Sequence, residues 1–164
     1  MAEFVALDFE TADQGADSAC AIALVRVRHD RIIRRTYHLI RPPRSYFRFT
    51  HIHGIRWSDV AAEKSFAELW PILAPEFDDV EFIAAHNAPF DKGVLAACCA
   101  AAGVAMPGAR FECTVRLAKK TWGLPRANLP TVSAFLNIPL DHHNALSDAE
   151  ACARIVIAAQ QAGQ

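Results

Sequence analysis

Read for its apolar and polar positions, the chain opens on a strand. Residues 3–9, "EFVALDF", are an apolar run broken only near its end, the length and composition of a buried strand. The stretch Thr11 to Ser18 is a polar loop. Residues 19–28 and 31–40 are two further β-rich runs around His29-Asp30, a hairpin pattern, and Pro42-Pro43 ends the third run. Three meandering strands predict an antiparallel start to the sheet. The period then changes. Phe66, Leu69, Trp70 and Leu73 share one helical face and predict a helix within Ser65 to Phe77, blemished by Pro71.

"DVEFIAAH" is a short apolar strand of the kind buried inside a mixed sheet. Residues 90–103 predict a helix stopped by Gly103, and residues 109–113 a fifth strand. Helices around 114–121 and 129–136 precede a last one from about Ala145 to Gln161. Strands followed by alternating helices and strands predict an α/β fold. Its five-stranded mixed sheet, three antiparallel strands then parallel ones, would be flanked by helices.

The polar exceptions to this pattern carry the chemistry. In "VALDFET", Asp8 and Glu10 interrupt an apolar strand two residues apart, so both project from one face of the sheet. Two like charges on a buried strand are costly unless something offsets them. Two further segments end in acid. "AHNAPFD" sets Asp91 in the first turn of a helix, and "HHNALSDAEA" does the same for Asp148. Singly, each acid is explained by the helix dipole. Asn87 fits an N-cap, and Ser147 with Glu150 fits a capping box.

Together they imply more. Helices that follow sheet strands start at the strands' carboxyl ends, where Asp8 and Glu10 also lie. Four carboxylates converging there call for hard divalent cations, and Mg²⁺ or Mn²⁺ suit oxygen ligands better than zinc does. A pair of such ions is the known clamp for in-line phosphoryl chemistry. His143 and His142, just ahead of Asp148, are both candidates for the base that such a reaction needs.

Composition narrows the partners. The chain has 164 residues, 52% hydrophobic and 21% charged, with a net charge of −1, which predicts one globular domain over residues 1–164. A nearly neutral chain excludes wrapping of duplex DNA by a globally basic body, but a local site can still grip a few nucleotides. The five cysteines are odd in number and lack C-x-x-C spacing, so they are expected to be reduced core thiols. No leader pattern and no long apolar span is present, and a soluble, cytoplasmic protein is expected.

Arg26, Arg28, Arg31, Arg34 and Arg35 at the hairpin tip read as a solvated face that discourages edge pairing. Arg41, Arg44, Arg48, His51 and His53 should emerge beside the carboxylates, because the third strand returns to that end. Lys119 and Lys120 read as a solvated helix face, and Trp57, Trp70 and Trp122 as core or groove residues.

At this point the chain resembles the DEDDh subgroup of DnaQ-like 3′→5′ exonucleases, a group that includes polymerase proofreading subunits. Its first motif, D-x-E, corresponds to Asp8-Phe9-Glu10. The second, H-N-A-x-F-D, is matched by His86 to Asp91, and the third, H-x-x-x-x-D, by His143 to Asp148. The turn His53-Gly54-Ile55 is also familiar, and the motifs together span residues 5–155.

The resemblance implies a ribonuclease H-like fold, with Asp8, Glu10, Asp91 and Asp148 holding two Mg²⁺ or Mn²⁺ ions. His143, rather than His142, would be the general base. Thr11, His53, Asn87 and Phe90 would line the pocket for the last nucleotides, with Phe90 or Phe9 stacking on a base. The partner implied is nucleic acid with a free 3′ end, single-stranded DNA first and RNA or short oligoribonucleotides as the alternative. A ribonuclease H-type endonuclease fits the acids but not the His143 motif, and a non-catalytic binding module would not need all five groups. Phe9 stands where many relatives carry a small polar residue. Only 16 residues follow Asp148, which implies a free-standing nuclease without the usual polymerase-docking tail.

Overall fold

The computed structural model describes residues 3–163. Five strands form a mixed sheet: β1 (Phe4–Thr11), β2 (Ala19–Arg28), β3 (Arg31–Leu39), β4 (Phe82–Ala85) and β5 (Arg110–Cys113). Their order across the sheet is β3-β2-β1-β4-β5. The first three are antiparallel neighbours. β4 lies parallel to β1, and β5 parallel to β4. The hairpin between β2 and β3 turns on His29 and Asp30 at φ 50° and 61°. Two consecutive left-handed residues are the turn whose twist matches that of the flanking strands.

Among the described residues seven α-helices follow the hairpin: α1 (Thr50–His53), α2 (Trp57–Val60), α3 (Phe66–Leu73), α4 (Ala88–Ala102), α5 (Thr114–Trp122), α6 (Leu129–Phe135) and α7 (Ala145–Ala162). The first two are single turns inside a stretch that reads from sequence as irregular. α3 is shorter than its apolar pattern suggests. Ser65 and Glu68 close its capping box, while Pro71 lacks the N–H that would bond one turn back. After Leu73 the chain tightens into a 3₁₀ turn, Ala74–Phe77.

Strand alternation divides the core. Val5, Leu7 and Phe9 face one side of β1, against Phe66, Leu69 and Leu73 of α3 and Val94, Leu95, Cys98 and Cys99 of α4. Phe4 and Ala6 face the other side, where Ala145, Ala149, Cys152, Ala153 and Val156 of α7 pack on Ala23 and Ala84. The small side chains on both partners let α7 lie close to the sheet. Asp8 and Glu10 continue the Phe4–Ala6 face, so they point toward α7. Asp148 shares its helical stripe with Ala145 and Cys152. The fold therefore brings these three acids together by periodicity alone.

Several polar expectations are corrected. Arg26 is not solvated: it is 7% exposed. Its guanidinium donates to Glu3 and to the carbonyls of Pro75, Glu76 and Asp78. Arg34 pairs with Glu76 and Arg35 with Glu150, so much of the supposed free face is occupied in tying helices to the sheet. Arg41 and Arg44 likewise hold loops together. Arg41 bonds Glu68 and the Glu63 carbonyl, and Arg44 forks onto Asp13 and Asp17. The cap of α7 is Asn144, which accepts from the Ser147 N–H. The Ser147 hydroxyl accepts instead from the Asp141 N–H, and Glu150 is engaged by Arg35 and Arg154. All five cysteines are free thiols, four of them buried.

Candidate active site

The carboxyl end of β1 is the centre of the site. Asp8, Glu10 and Asp148 each offer a carboxylate oxygen within 4.8 Å of the others. Asp91 enters from the opposite face. It sits in the first turn of α4, and its Oδ1 accepts the Phe9 N–H at 3.0 Å. That bond exists because β4 lies beside β1 in parallel, which starts α4 next to the end of β1. Asp91 and Asp148 are 2% and 6% exposed.

Crowded and poorly solvated, the four acids resist ionisation. Glu10 is pushed up to about 8, by burial first and then by Asp148 and Asp91. Asp91 is pushed up to about 7, chiefly by burial, with the Phe9 N–H opposing. Asp8 is raised well above the ordinary range by burial and by its three acidic neighbours. Asp148 is raised by burial, against the stabilising His142. Asp8 Oδ2 is fully enclosed and has no hydrogen-bond partner among the described residues.

An unpartnered, enclosed carboxylate oxygen among three other acids is strongly unfavourable without a counter-charge. No arginine or lysine forms an ion pair with any of the four among the described residues. Hard divalent cations meet this donor set: all oxygen, anionic and clustered.

Two histidines stand over Asp148. His142 Nδ1 is 3.2 Å from Asp148 Oδ1, and the His143 backbone N–H donates to Oδ2 at 3.1 Å. The two rings stack with centroids 3.8 Å apart. His143 has φ 70°, a left-handed conformation uncommon outside glycine. Its ring makes no hydrogen bond among the described residues, whereas that of His142 is already committed to Asp148. The contact of His142 with Asp148 depends on that backbone reversal and has no signature in spacing, which leaves both histidines as candidates.

A cleft of about 680 Å³ opens over these groups, lined among others by His86, Asn87, Phe90, Lys119 and Arg126. Phe90 is 50% exposed and presents its ring to the cleft. Phe9 also borders the cleft, but at 3% exposure it is packed in the core against α4 and leaves almost no free face for stacking. Asn87 holds the N-cap position of α4 at φ 68° but makes no capping bond. Its amide is thereby left for the cleft.

Thr11 and His53 lie beside the cleft rather than in its wall. The Ile55 N–H donates to His53 Nδ1, which leaves the proton on Nε2 for the Thr11 carbonyl at 2.9 Å. Both ring nitrogens are thus used, and burial lowers the His53 pKa.

The loop before α6 supplies lining residues that no pattern in the sequence marks. The His86 ring bridges the Thr114 hydroxyl and the Ala127 carbonyl, tying the end of β4 to α5 and to the loop before α6. That loop carries Pro125, Arg126 and Asn128 to the cleft. It has no hydrophobic period, and only the tertiary fold reveals its position. Lys119 is exposed, as expected, and also borders the cleft.

The sheet order, with helices on both faces and acids gathered at the ends of its central strands, defines an α/β protein of the ribonuclease H-like fold. The model of the exonuclease family, RNase_T, matches residues 5–156, and the chain belongs to this family of nucleases. Exodeoxyribonuclease 10 of Escherichia coli K12 is 33% identical over 143 residues, which cover 83% of this chain and 59% of the relative. The chain thus spans somewhat over half the length of the curated relative it matches.

Among solved structures, Exonuclease X in complex with 5′ overhanging duplex DNA has a TM-score of 0.78 at 24% identity, covering 96% of this chain and 91% of that one. The nuclease domain of 3′hExo, a DEDDh family member bound to rAMP, has a TM-score of 0.82 at 16% identity, covering 98% and 92%. E. coli Exonuclease I in complex with a dA16 oligonucleotide has a TM-score of 0.83 at 16% identity, covering 98% and 41%. No helix among the described residues is long and apolar enough to cross a membrane.

Proposed function

We propose that this chain, acting as a single exonuclease domain, removes nucleotides one at a time from the 3′ end of nucleic acid. The products are nucleoside 5′-monophosphates and the favoured substrate is single-stranded DNA. The observation that carries this reading is the enclosed, unpartnered Asp8 Oδ2, with Glu10 and Asp148 gathered about Asp8 and Asp91 close by. Asp8, Glu10, Asp91 and Asp148 would hold two divalent cations, Mg²⁺ or Mn²⁺. Such ions would lower the cost of forming hydroxide and stabilise charge on the leaving oxygen.

The remaining roles belong to the chain. His143, whose imidazole is uncommitted, takes the proton from the attacking water. The phosphorus–O3′ bond of the terminal linkage breaks, and the departing 3′ hydroxyl receives a proton from solvent. Phe90 offers an aromatic face to the last base, a contact that tolerates any sequence. The free Asn87 amide is placed to hydrogen-bond the terminal nucleotide. His53, locked to Thr11, braces the end of β1 on which Glu10 and Thr11 sit.

Matched DNA and RNA oligonucleotides labelled at the 5′ end test this in Mg²⁺, Mn²⁺ and EDTA, with Asp8→Asn as the contamination control. The expected result is a ladder shortening from the 3′ end, faster on DNA, absent in EDTA and in the variant. Internal cuts, or no cleavage with either metal, would overturn the proposal. A faster ladder on RNA would overturn the substrate preference alone.

A further inference from the structure

The ion-pair pattern of this chain is uneven. Arg26 and Arg28 share Glu3, Arg41 pairs with Glu68, and Arg44 pairs with Asp13 and Asp17. Lys92, Arg116 and Lys120 form no ion pair among the described residues, nor do Lys119 and Arg126 in the cleft, or Arg31, Arg48, Arg56 and Lys64 elsewhere. Lys92, Arg116 and Lys120 are exposed, and all three line one groove of about 890 Å³ along the β5 edge of the sheet. Arg110 lines it too, already paired with Glu112. Glu81 is the other carboxylate in its wall, so four cations face two acids. Lys92 Nζ also lies 5.8 Å from the centroid of the Phe111 ring, which sets an aromatic face among the cations.

This groove adjoins the catalytic cleft. At the start of α4, Asn87 and Phe90 line the cleft, while Ala88, Pro89 and Lys92 line the groove. On α5 the same split recurs. Val115 and Lys119, one helical turn apart, face the cleft, and Arg116 and Lys120 face the groove. The first turns of the two helices are therefore a shared ridge. A strand whose 3′ end rests on the carboxylates must leave the cleft somewhere, and its phosphates will follow unneutralised positive charge.

We infer that the groove formed by Lys92, Arg116 and Lys120 beside β5 is the track for the upstream phosphates of the strand being shortened. This rests on the nuclease reading for the position of the 3′ end, but the groove is tested by binding alone. The consequence is an affinity that grows with length: a trinucleotide is held by the cleft, and a longer strand gains the three cations as well.

The test is fluorescence anisotropy with single-stranded 3-mer and 16-mer DNA labelled at the 5′ end, in an Asp8→Asn background so that strands stay intact. Lys92→Ser, Arg116→Ser and Lys120→Ser are combined in one variant. Its Kd for the 16-mer is expected to rise roughly 30-fold at moderate salt, by about half a decade per lost contact. The 3-mer should change less than about threefold, and the salt slope for the 16-mer should shrink by about 2, at ~0.7 per contact. A charge-preserving set, Lys92→Arg, Arg116→Lys and Lys120→Arg, should restore tight binding of the 16-mer and controls for folding.

Equal losses on both lengths, or no loss on the 16-mer, would overturn the proposal. So would a loss seen only with duplex ends, which would assign the groove to the complementary strand. A wild-type chain that binds with this length dependence yet never shortens a strand would instead refute the nuclease reading and leave the groove standing.

Discussion

Asp8 and Glu10 are held on one face of a strand by nothing more than the two-residue alternation of β structure, and they are the residues most legible in the sequence. Asp91 was legible as an acid in a first helical turn, but its bond to the Phe9 N–H was not, because it depends on β4 lying beside β1. The bond of His142 to Asp148 and the placement of Arg126 are equally illegible, because a backbone reversal and a nonperiodic loop create them.

At this scale the histidines separate cleanly. His143→Ala is expected to lower kcat by roughly 10² or more, as for loss of a positioned base, while His142→Ala keeps most of the rate; steady-state kinetics on a 5′-labelled strand decides, and the reverse order would reassign the base. Glu10 supplies a pH signature. Its folded-state pKa lies near 8 against an ordinary 4.5, so the folded chain holds this proton more tightly than the unfolded chain. Without metal, that contribution to stability is present below about pH 4.5 and is lost as pH rises toward 8. Glu10→Gln should therefore gain on the wild type in metal-free urea melts as pH rises from 5 to 8. A constant difference would contradict it.

The elements were readable wherever a period extended over several turns or alternations. β1, β2 and β3, the buried β4 and the long α4 and α7 all lie where their apolar patterns place them. α1 and α2 were not readable, since a single turn leaves no period. The polar fastenings were read least well. Arg26 sits in a run of arginines that looks solvated, yet the 3₁₀ turn after α3 folds over it and offers three carbonyls. Arg26→Met removes a charged group on which those carbonyls and Glu3 depend. It is expected to cost about 2–4 kcal/mol in urea denaturation, where a solvated arginine would cost almost nothing. The contact of α7 with the sheet is equally specific. Ala149 is fully buried against the alanines of β2 and β4, so Ala149→Leu should overpack that layer by about 1–3 kcal/mol. Because Ala149 adjoins Asp148, the same change should reduce nuclease activity beyond its effect on stability.

For the molecule as a whole, the sheet supplies two things at once: a core on each face, and a carboxyl edge at which both faces deliver acids. Three of the four acids follow from periodicity, and the fourth needs the order β2-β1-β4, which three meandering strands and a later parallel strand only partly define. Net charge of −1 conceals a separation visible only in three dimensions. Paired cations fasten the periphery, the acids gather in the cleft, and some of the unpaired cations border it while others, such as Arg31 and Arg56, lie elsewhere. As proposed, the four acids are kept together to hold divalent cations. Calorimetric titration of the metal-free chain with Mn²⁺, in parallel with Asp8→Asn, tests this most directly. Saturable binding of two ions per chain, lost or halved in the variant, is the result this account requires. Absence of binding in the wild type, or equal binding in Asp8→Asn, would contradict it.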